Sequence, residues 1–300
     1  MNAWFQKNGS LVLRVSGTIL AIGLLVLLVQ QNGTVNIRET LAAISPQTLG
    51  VAIVCIILSR LFISLRWHIL LRSGGVQIPF HKTLTLVFMG LFSNNFLPTT
   101  IGGDVVRLAG AIQMGYDNAL CLASIAADRV INMIGMSLAA PLGIWQLAVA
   151  GTFTQSLALG SLFAKGKDFI TKTLRSFSLW FNKPWALAGA LLFALIHMLF
   201  SFTANYALII GMGGSISLWK VIGLSSLAYF VTLVPISING YGVQELTVTY
   251  LLTTIGGISV PAAASTAVVH RLIMMAVSLP GAFTLPGVMG NLNRKDPDHS

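Results

Sequence analysis

Six charged side chains lie in or beside segments that are otherwise apolar enough to enter a membrane. They are Asp104, Arg107, Asp128, Arg129, Glu245 and Arg271. Each uncompensated charge in a membrane helix costs roughly 2.5–3.5 kcal/mol on insertion scales, so such residues usually pair with one another or form a polar site. Arginines bind phosphate well, and carboxylates can orient those arginines or exchange protons. The set predicts either ion pairs that hold helices together or a site for a charged headgroup, and both interpretations stay open.

The composition of the whole chain is that of an integral membrane protein. Of its 300 residues, 55% are hydrophobic and 9% are charged, whereas soluble domains carry about 25% charged residues. Several apolar runs are long enough to cross a bilayer, where each span must satisfy its own backbone hydrogen bonds. We therefore predict an all-α polytopic protein with about seven to eight transmembrane helices. The net charge of +10 fits basic loops beside anionic lipid better than nucleic-acid binding.

Charged residues divide this single membrane domain, residues 1–300, into segments. They are the first two spans (11–79), a first repeat half (80–163), a basic interfacial helix or loop (164–184), a second repeat half (185–289) and a polar tail (290–300). The predicted spans cover 11–29, 44–65, 83–97, two helices broken near Pro141 within 118–163, and then 185–210, 218–234 and 262–285. Basic residues before the first span predict a cytoplasmic N-terminus in a bacterial-type cytoplasmic membrane.

Two stretches share a pattern of proline, glycine and acid after an apolar helix. The first reads NNFLPTTIGGDVVRL from Asn94 to Leu108, and the second reads VPISINGYGVQE from Val234 to Glu245. An Ala-rich helix with an embedded arginine follows each of them, and the distances from proline to arginine are 31 and 36 residues. We interpret the two stretches as copies of an internal repeat.

This pattern predicts two interrupted or re-entrant helices. Proline ends or redirects a helix, and glycine permits a tight backbone path toward a new one. Asp104 is expected to cap a helix that begins at Val105, and Asn239 to cap one near Tyr241. Interrupted helices are tolerated at membrane depth only where protein or a wet cavity covers the backbone, and their open N-termini suit phosphate or carboxylate. In transporters built from repeats, such helices meet at the substrate site.

The predicted cavity combines both motifs with the embedded charges. Its residues are Asn94, Asn95, Pro98, Gly102, Gly103, Asp104, Arg107, Asp128, Arg129, Pro235, Ser237, Asn239, Gly240, Gly242, Glu245 and Arg271. Arg107 and Glu245 are favoured for a substrate or coupling role, so their replacement by Ala is expected to abolish function and spare folding. Arg60 is interpreted as snorkelling or structurally paired, and His270 as a helix-packing histidine. No catalytic residue, metal site or cofactor is predicted.

The two motifs, together with DRVINMIG from Asp128 to Gly135, resemble those of the lysylphosphatidylglycerol synthase transmembrane-region, or flippase-like, membrane proteins. The resemblance extends over nearly the whole chain. It implies the translocation of aminoacylated phospholipids, or membrane steps that involve polyprenyl-linked and other glycolipids. In the fused synthases a separate soluble domain attaches lysine to the lipid. Because this chain ends soon after its last predicted span, aminoacyl transfer by this chain alone is not expected.

We therefore expect a flippase-like transporter that moves a lipid headgroup through a polar cavity, and not an enzyme. Arg107, Arg129 and Arg271 would attract phosphate, while Asp104 and Glu245 would position them. The expected partners are membrane lipids with anionic headgroups, and a lipid-modifying enzyme or glycosyltransferase is a further one. Two alternatives remain open: an intramembrane lipid-modifying transferase, and a non-catalytic partner of a lipid glycosyltransferase.

Overall fold

A computed structural model describes residues 44–97, 101–151, 183–233 and 237–284, together with Ile19, Gly23 and Trp180. Its helices are α1 (Pro46–Gly74), α2 (Phe80–Asn94), α3 (Gly102–Gln113), α4 (Asn118–Val149), α5 (Pro184–Gly211), α6 (Leu218–Thr232), α7 (Val243–Thr254) and α8 (Val260–Ser278), with a 3₁₀ turn at Ile238–Gly240. Across these ranges every regular element is a helix, as predicted.

Four helical segments are long and apolar enough to cross a membrane. They are α1, α4, α5 and the helical stretch Val260–Thr284 that contains α8. Large apolar side chains on their outer faces are exposed, among them Val54, Leu138 and Leu199. A soluble protein rarely exposes so many, whereas lipid tails solvate them well. The chain is therefore an all-α polytopic membrane protein.

The helices repeat in order and in length. Helices α1 to α4 have 29, 15, 12 and 32 residues. Helices α5 to α8 have 28, 15, 12 and 19 residues. Each series therefore contains a long helix, a hairpin of two short helices and a second long helix. We call α2 with α3 hairpin 1, and α6 with α7 hairpin 2.

The two series run in opposite directions, because α1 and α5 are antiparallel. Thr48 near the start of α1 packs against Gly211 at the end of α5. In the middle, Ser59 Oγ and His197 Nδ1 are 2.9 Å apart. At the other end Lys183 donates to the Ser73 carbonyl oxygen. We define the first side of the bundle as the end where α1 finishes and α5 begins, and the second side as the opposite end.

Hairpin 1 starts and finishes on the first side. The Phe80 ring, at the start of α2, lies 5.4 Å from the His68 ring near the end of α1. After α3, helix α4 begins on the same side, where Trp67 Nε1 donates to Ser124 Oγ at 3.0 Å. The N-cap of α4 is Asp117, whose side chain accepts from the Leu120 N–H.

Hairpin 2 starts and finishes on the second side. Six residues separate the end of α5 from the start of α6, and the Trp219 carbonyl accepts from Gln146 Nε2, near the end of α4, at 3.1 Å. Helix α8 begins on the same side, where Thr266 Oγ1 lies 3.4 Å from Met212 Sδ. The second series is therefore an inverted copy of the first.

The structure differs from two of the predicted span boundaries. Helix α4 continues through Pro141 as one segment to Val149, although a break was predicted there. The turn after Pro141 is held against α6, since a Cβ added to Gly143 would lie 2.6 Å from Leu227 Cγ and would also overlap the Gly223 carbonyl. Proline inside a membrane helix is tolerated where a packed neighbour supports the weakened turn. Helix α1 likewise passes Arg66, which was predicted to lie in the loop after residue 65.

Several predicted features lie outside the described residues. They are most of the first span (11–29), most of the basic segment 164–184, the tail 290–300, Pro98 and Pro235. Within the basic segment, Trp180 is fully buried and its Nε1 donates to Ser73 Oγ at 3.0 Å. The domain boundaries stay predictions.

Candidate anion-binding cavity

One acid and one arginine occur in the same arrangement in both series. Asp104 is the third residue of α3, and its carboxylate accepts from Nε of Arg129 in α4. Glu245 is the third residue of α7, and its carboxylate accepts from Nε of Arg271 in α8 at 2.5 Å. Both arginines are the twelfth residue of their helix. The repeat therefore extends from helix lengths to side-chain contacts.

The tips of the two hairpins touch in the interior of the bundle. The Tyr241 hydroxyl, just before α7, donates to the Asn95 carbonyl oxygen at 3.2 Å. Asn95 Nδ2 in turn donates to Ser278 Oγ of α8 at 2.8 Å. The Arg271 guanidinium lies over the Tyr241 ring, 4.9 Å from its centre. The two motifs that the sequence places 140 residues apart are thus brought together, and cation–π contact helps to fix Arg271.

Side chains of the protein itself occupy the helix N-termini at these tips. Asn94 Oδ1 accepts from the Gly103 N–H at 2.7 Å. Glu245 Oε2 accepts from the Gly242 N–H at 2.7 Å. Both contacts satisfy backbone N–H groups at the helix N-termini, which were predicted from the sequence to be available to a bound anion. Any anion at the tips therefore has to be held mainly by side chains.

The predicted capping residues have other roles. Helix α3 begins at Gly102, so Asp104 lies inside its first turn and is free to bind arginine instead. Asn239 lies in the 3₁₀ turn with a φ of 47°, a left-handed conformation that asparagine tolerates better than most residues. The predictions that these two residues cap their helices were wrong, because each helix starts at a different residue from the one expected.

A buried ion-pair network joins α1, α3 and α4. Asp128 Oδ1 accepts from Arg66 Nε at 2.7 Å, and Asp128 Oδ2 lies 3.4 Å from the Arg107 guanidinium nitrogens. Arg107 also donates to Asp104 at 3.1 Å and stacks on Trp67, 4.0 Å from the centre of the ring system. Removing one member of such a network leaves a buried charge uncompensated. The expectation that Arg107 can be replaced without loss of folding is therefore revised.

A cavity of about 360 Å³ lies between the hairpins and helices α1, α4, α5 and α8. Six predicted site residues line it: Asn94, Asn95, Arg129, Asn239, Gly240 and Arg271. Eight others lie outside its lining: Gly102, Gly103, Asp104, Arg107, Asp128, Ser237, Gly242 and Glu245. The three acids and Arg107 belong to this second group. They lie outside the cavity wall, where Asp104 binds Arg129 and Glu245 binds Arg271. Pro98 and Pro235 fall outside the described residues.

Sequence reasoning missed part of the lining. Helix α5 contributes His197, Ser201 and Asn205, and α1 contributes Arg60. The three α5 residues recur every fourth position, which places them on one face of a helix that is otherwise apolar. That polar stripe was the signal that could have identified the α5 wall.

Five basic side chains line the described part of the cavity wall: Arg60, Arg129, His197, His270 and Arg271. No carboxylate lines the cavity within the described ranges, where the remaining ionisable group is the Tyr229 phenol. Outside the wall, Asp104 accepts a hydrogen bond from Nε of Arg129, and Glu245 accepts one from Nε of Arg271. Arg271 also donates from Nη2 to Gln244 at 2.7 Å. The arrangement can bind an anion through guanidinium groups, which suit phosphate and carboxylate oxygens.

Known protein sequences resemble this chain over most of its length. The model of a protein family described as the lysylphosphatidylglycerol synthase TM region matches residues 14–281. The UPF0104 membrane protein PH1989 of Pyrococcus horikoshii is 21% identical over 298 residues, an alignment that covers 81% of this chain and 86% of that protein. The match of the family model includes both hairpins and all of the described cavity residues. The chain belongs to the lysylphosphatidylglycerol synthase TM region family.

Proposed function

We propose that this protein is a flippase-like transporter that moves the headgroup of a phosphate-containing lipid through the cavity. The observation that carries this proposal is the basic wall of the cavity between two hairpins of opposite orientation. A headgroup needs a polar path across the bilayer, whereas its acyl chains can stay in lipid. A wall that presents arginines and polar side chains supplies such a path.

The two hairpins are proposed to be re-entrant. A 15-residue helix such as α2 or α6 is about 22 Å long, which is shorter than the hydrocarbon core of about 30 Å. Arg129 and Arg271 lie about 17 Å along their helices from opposite sides, so both come close to the bilayer midplane. Inverted repeats with interrupted helices that meet at mid-depth are the usual architecture of secondary transporters.

Each paired residue has a distinct proposed role. Arg129 and Arg271 bind phosphate oxygens with the nitrogens that face the cavity. Asp104 and Glu245 accept hydrogen bonds from Nε of the two arginines and fix the orientation of the guanidinium planes. Rocking of one inverted series against the other would then expose the same arginines to the first side and the second side in turn.

Reconstitution of the purified full chain into phospholipid vesicles tests this function. Phosphatidylglycerol with a fluorescent acyl label is placed in both leaflets, and an impermeant reductant is added outside. We expect the inner-leaflet label to be lost faster than in protein-free vesicles. Arg271→Gln should slow this loss, and Arg72→Gln is the matched control, because Arg72 is an exposed arginine at the end of α1.

Recovery of the lipids after the assay separates the alternatives. Translocation of chemically unchanged lipid supports a transporter. A modified lipid would instead show an intramembrane transferase, and the absence of both activities would favour a non-catalytic partner of a glycosyltransferase. Either of these last two results contradicts the proposal.

The first side of the bundle is expected to face the cytoplasm. It carries Arg72, Lys82 and Lys183 at helix ends, whereas the second side carries Lys220 within the described ranges. Lysine and arginine are retained on the cytoplasmic side of membrane proteins. A cysteine at position 183 should react with an impermeant thiol reagent in inside-out vesicles and not in intact cells. The opposite labelling pattern would reverse the assigned orientation.

A further inference from the structure

Arg60 is a buried arginine that takes part in none of the ion pairs described above. It lies in the middle of α1, is 9% exposed and lines the cavity. No carboxylate or other acceptor among the described residues binds its guanidinium. A charged group inside a membrane protein normally has a partner, because an unpaired one is costly to bury. Its place in the cavity wall indicates that its partner is a ligand.

The surroundings of Arg60 strengthen this interpretation. Arg271 and His270 of α8 line the same cavity as Arg60. His270 is 6% exposed, and its Nδ1 has no hydrogen-bond partner among the described residues. Basic side chains from α1 and α8 thus share one cavity wall, on which no carboxylate lies within the described ranges. An anion bound between them would supply the acceptor.

Among the residues that the structure describes, the charges inside the bundle do not balance. The interior positive charges of these residues belong to five arginines: Arg60, Arg66, Arg107, Arg129 and Arg271. Its interior negative charges belong to three acids: Asp104, Asp128 and Glu245. Residues 98–100 and 234–236 contain no charged side chain. The described interior therefore has a surplus of two positive charges, which a ligand with two negative charges neutralises.

We propose that the cavity binds a dianionic phosphoryl group, and that Arg60 completes a set of three arginines with Arg129 and Arg271. The ligand class is a phosphate monoester or a diphosphate, since a phosphate monoester is close to doubly charged at neutral pH. Phosphodiester headgroups carry one negative charge and match the surplus less well. This inference rests on the proposed function for its lipid ligand, and it makes Arg60 the residue that selects the dianion.

Binding of three soluble probes to the purified full chain in neutral detergent tests the inference. The probes are short-chain phosphatidic acid, a monoester, short-chain phosphatidylglycerol, a diester, and inorganic phosphate. We expect phosphatidic acid to bind roughly tenfold more tightly than phosphatidylglycerol, because one more charge-assisted contact is available. Inorganic phosphate that competes with phosphatidic acid at similar concentration identifies a free-phosphate site. Failure of phosphate to compete shows that the lipid part also contributes, and both outcomes support a phosphoryl site.

Variants of Arg60 separate a binding role from a structural one. Arg60→Gln should lose roughly tenfold or more in affinity for phosphatidic acid and should no longer distinguish the two lipids. Arg60→Lys keeps the charge and should retain part of the preference. Arg72→Gln removes an exposed arginine from the same helix and should bind like the wild type.

The thermal stability of the ligand-free variants is the second measurement that separates a binding role of Arg60 from a structural one. Arg60→Gln removes an unpaired buried charge, so its thermal midpoint should equal or exceed that of the wild type. Arg66→Gln breaks the buried pair with Asp128 and should lower the midpoint clearly. A midpoint for Arg60→Gln as low as that of Arg66→Gln would overturn the inference, as would unchanged binding of phosphatidic acid. Failure of both phosphatidic acid and phosphatidylglycerol to be translocated in vesicles, with the binding preference intact, would contradict the proposed function alone.

Discussion

Replacing Asp128 with Ala is expected to lower the free energy of unfolding by about 3–5 kcal/mol, because two buried arginines lose a shared partner. Asp128 is 3% exposed and contacts Arg66 and Arg107, which are themselves 4% and 7% exposed. Both guanidinium groups are therefore almost completely shielded from solvent. Thermal and denaturant unfolding of the purified protein in detergent measures the loss.

A paired substitution provides the control for this prediction. The double variant Arg66→Met with Asp128→Leu should lose less stability than the sum of its two single variants, because no charge is left alone between α1 and α4. Additive losses would contradict a direct pair. Unfolding of Asp128→Ala at the wild-type midpoint would show that the network adds little to stability.

Replacing Gly103 with Leu is expected to prevent hairpin 1 from closing, with a loss of stability of at least about 3 kcal/mol and loss of translocation. A Cβ at this position would lie 2.6 Å from Asn94 Nδ2 and would overlap the Gly90 carbonyl oxygen. The obstruction includes backbone, which cannot rotate away as a side chain can. The Asn94 contact with the Gly103 N–H would be displaced as well.

Gly240 in hairpin 2 is the matched comparison. Its φ is +75°, yet a Cβ would meet no atom closer than 3.9 Å. Replacement by Ala should therefore cost only the backbone strain, about 1–2 kcal/mol. Unfolding of Gly103→Ala and Gly240→Ala side by side distinguishes crowding from strain. Equal losses at the two positions would contradict the close packing of α2 against α3.

Much of the fold could be predicted from the sequence because apolar runs and the proline–glycine motifs are local signals. The direction of the second series could not. Few charged residues mark the loops, and the antiparallel packing of α1 on α5 depends on contacts such as Thr48 with Gly211. The continuity of α4 through Pro141 likewise depends on the close approach of Gly143 and Gly223.

The candidate site could be predicted as a set of residues but not as a division of roles. Asp104 and Arg107 are three residues apart, and the sequence does not show which of them faces a cavity. In the structure Arg107 contacts Trp67 and Asp128, whereas Arg129 and Arg271 line the cavity. The two interpretations of the embedded charges therefore both apply: the acids form ion pairs, and the arginines they orient are proposed to bind the headgroup.

Arg60 shows the limit of reasoning from single positions. A lone arginine in a long apolar run is commonly a snorkelling residue, and snorkelling or structural pairing was the interpretation from sequence. It lies fourteen residues after the start of a 29-residue helix, too far from either end to reach the membrane surface readily. Its neighbours in space come from α5 and α8, and no sequence pattern links those helices to it.

The central claim is that the hairpins enclose a water-accessible, basic cavity inside the membrane, and thiol labelling tests it most directly. Ser201→Cys places a thiol on the cavity wall, and Leu199→Cys places one on the exposed apolar face of the same helix. Both are made in a background in which the buried Cys55 and Cys121 are replaced by Ala. We predict that an anionic water-soluble reagent labels position 201, and does so faster than a cationic reagent of similar size, while position 199 stays unlabelled. No labelling at 201, or faster labelling by the cation, would contradict the account.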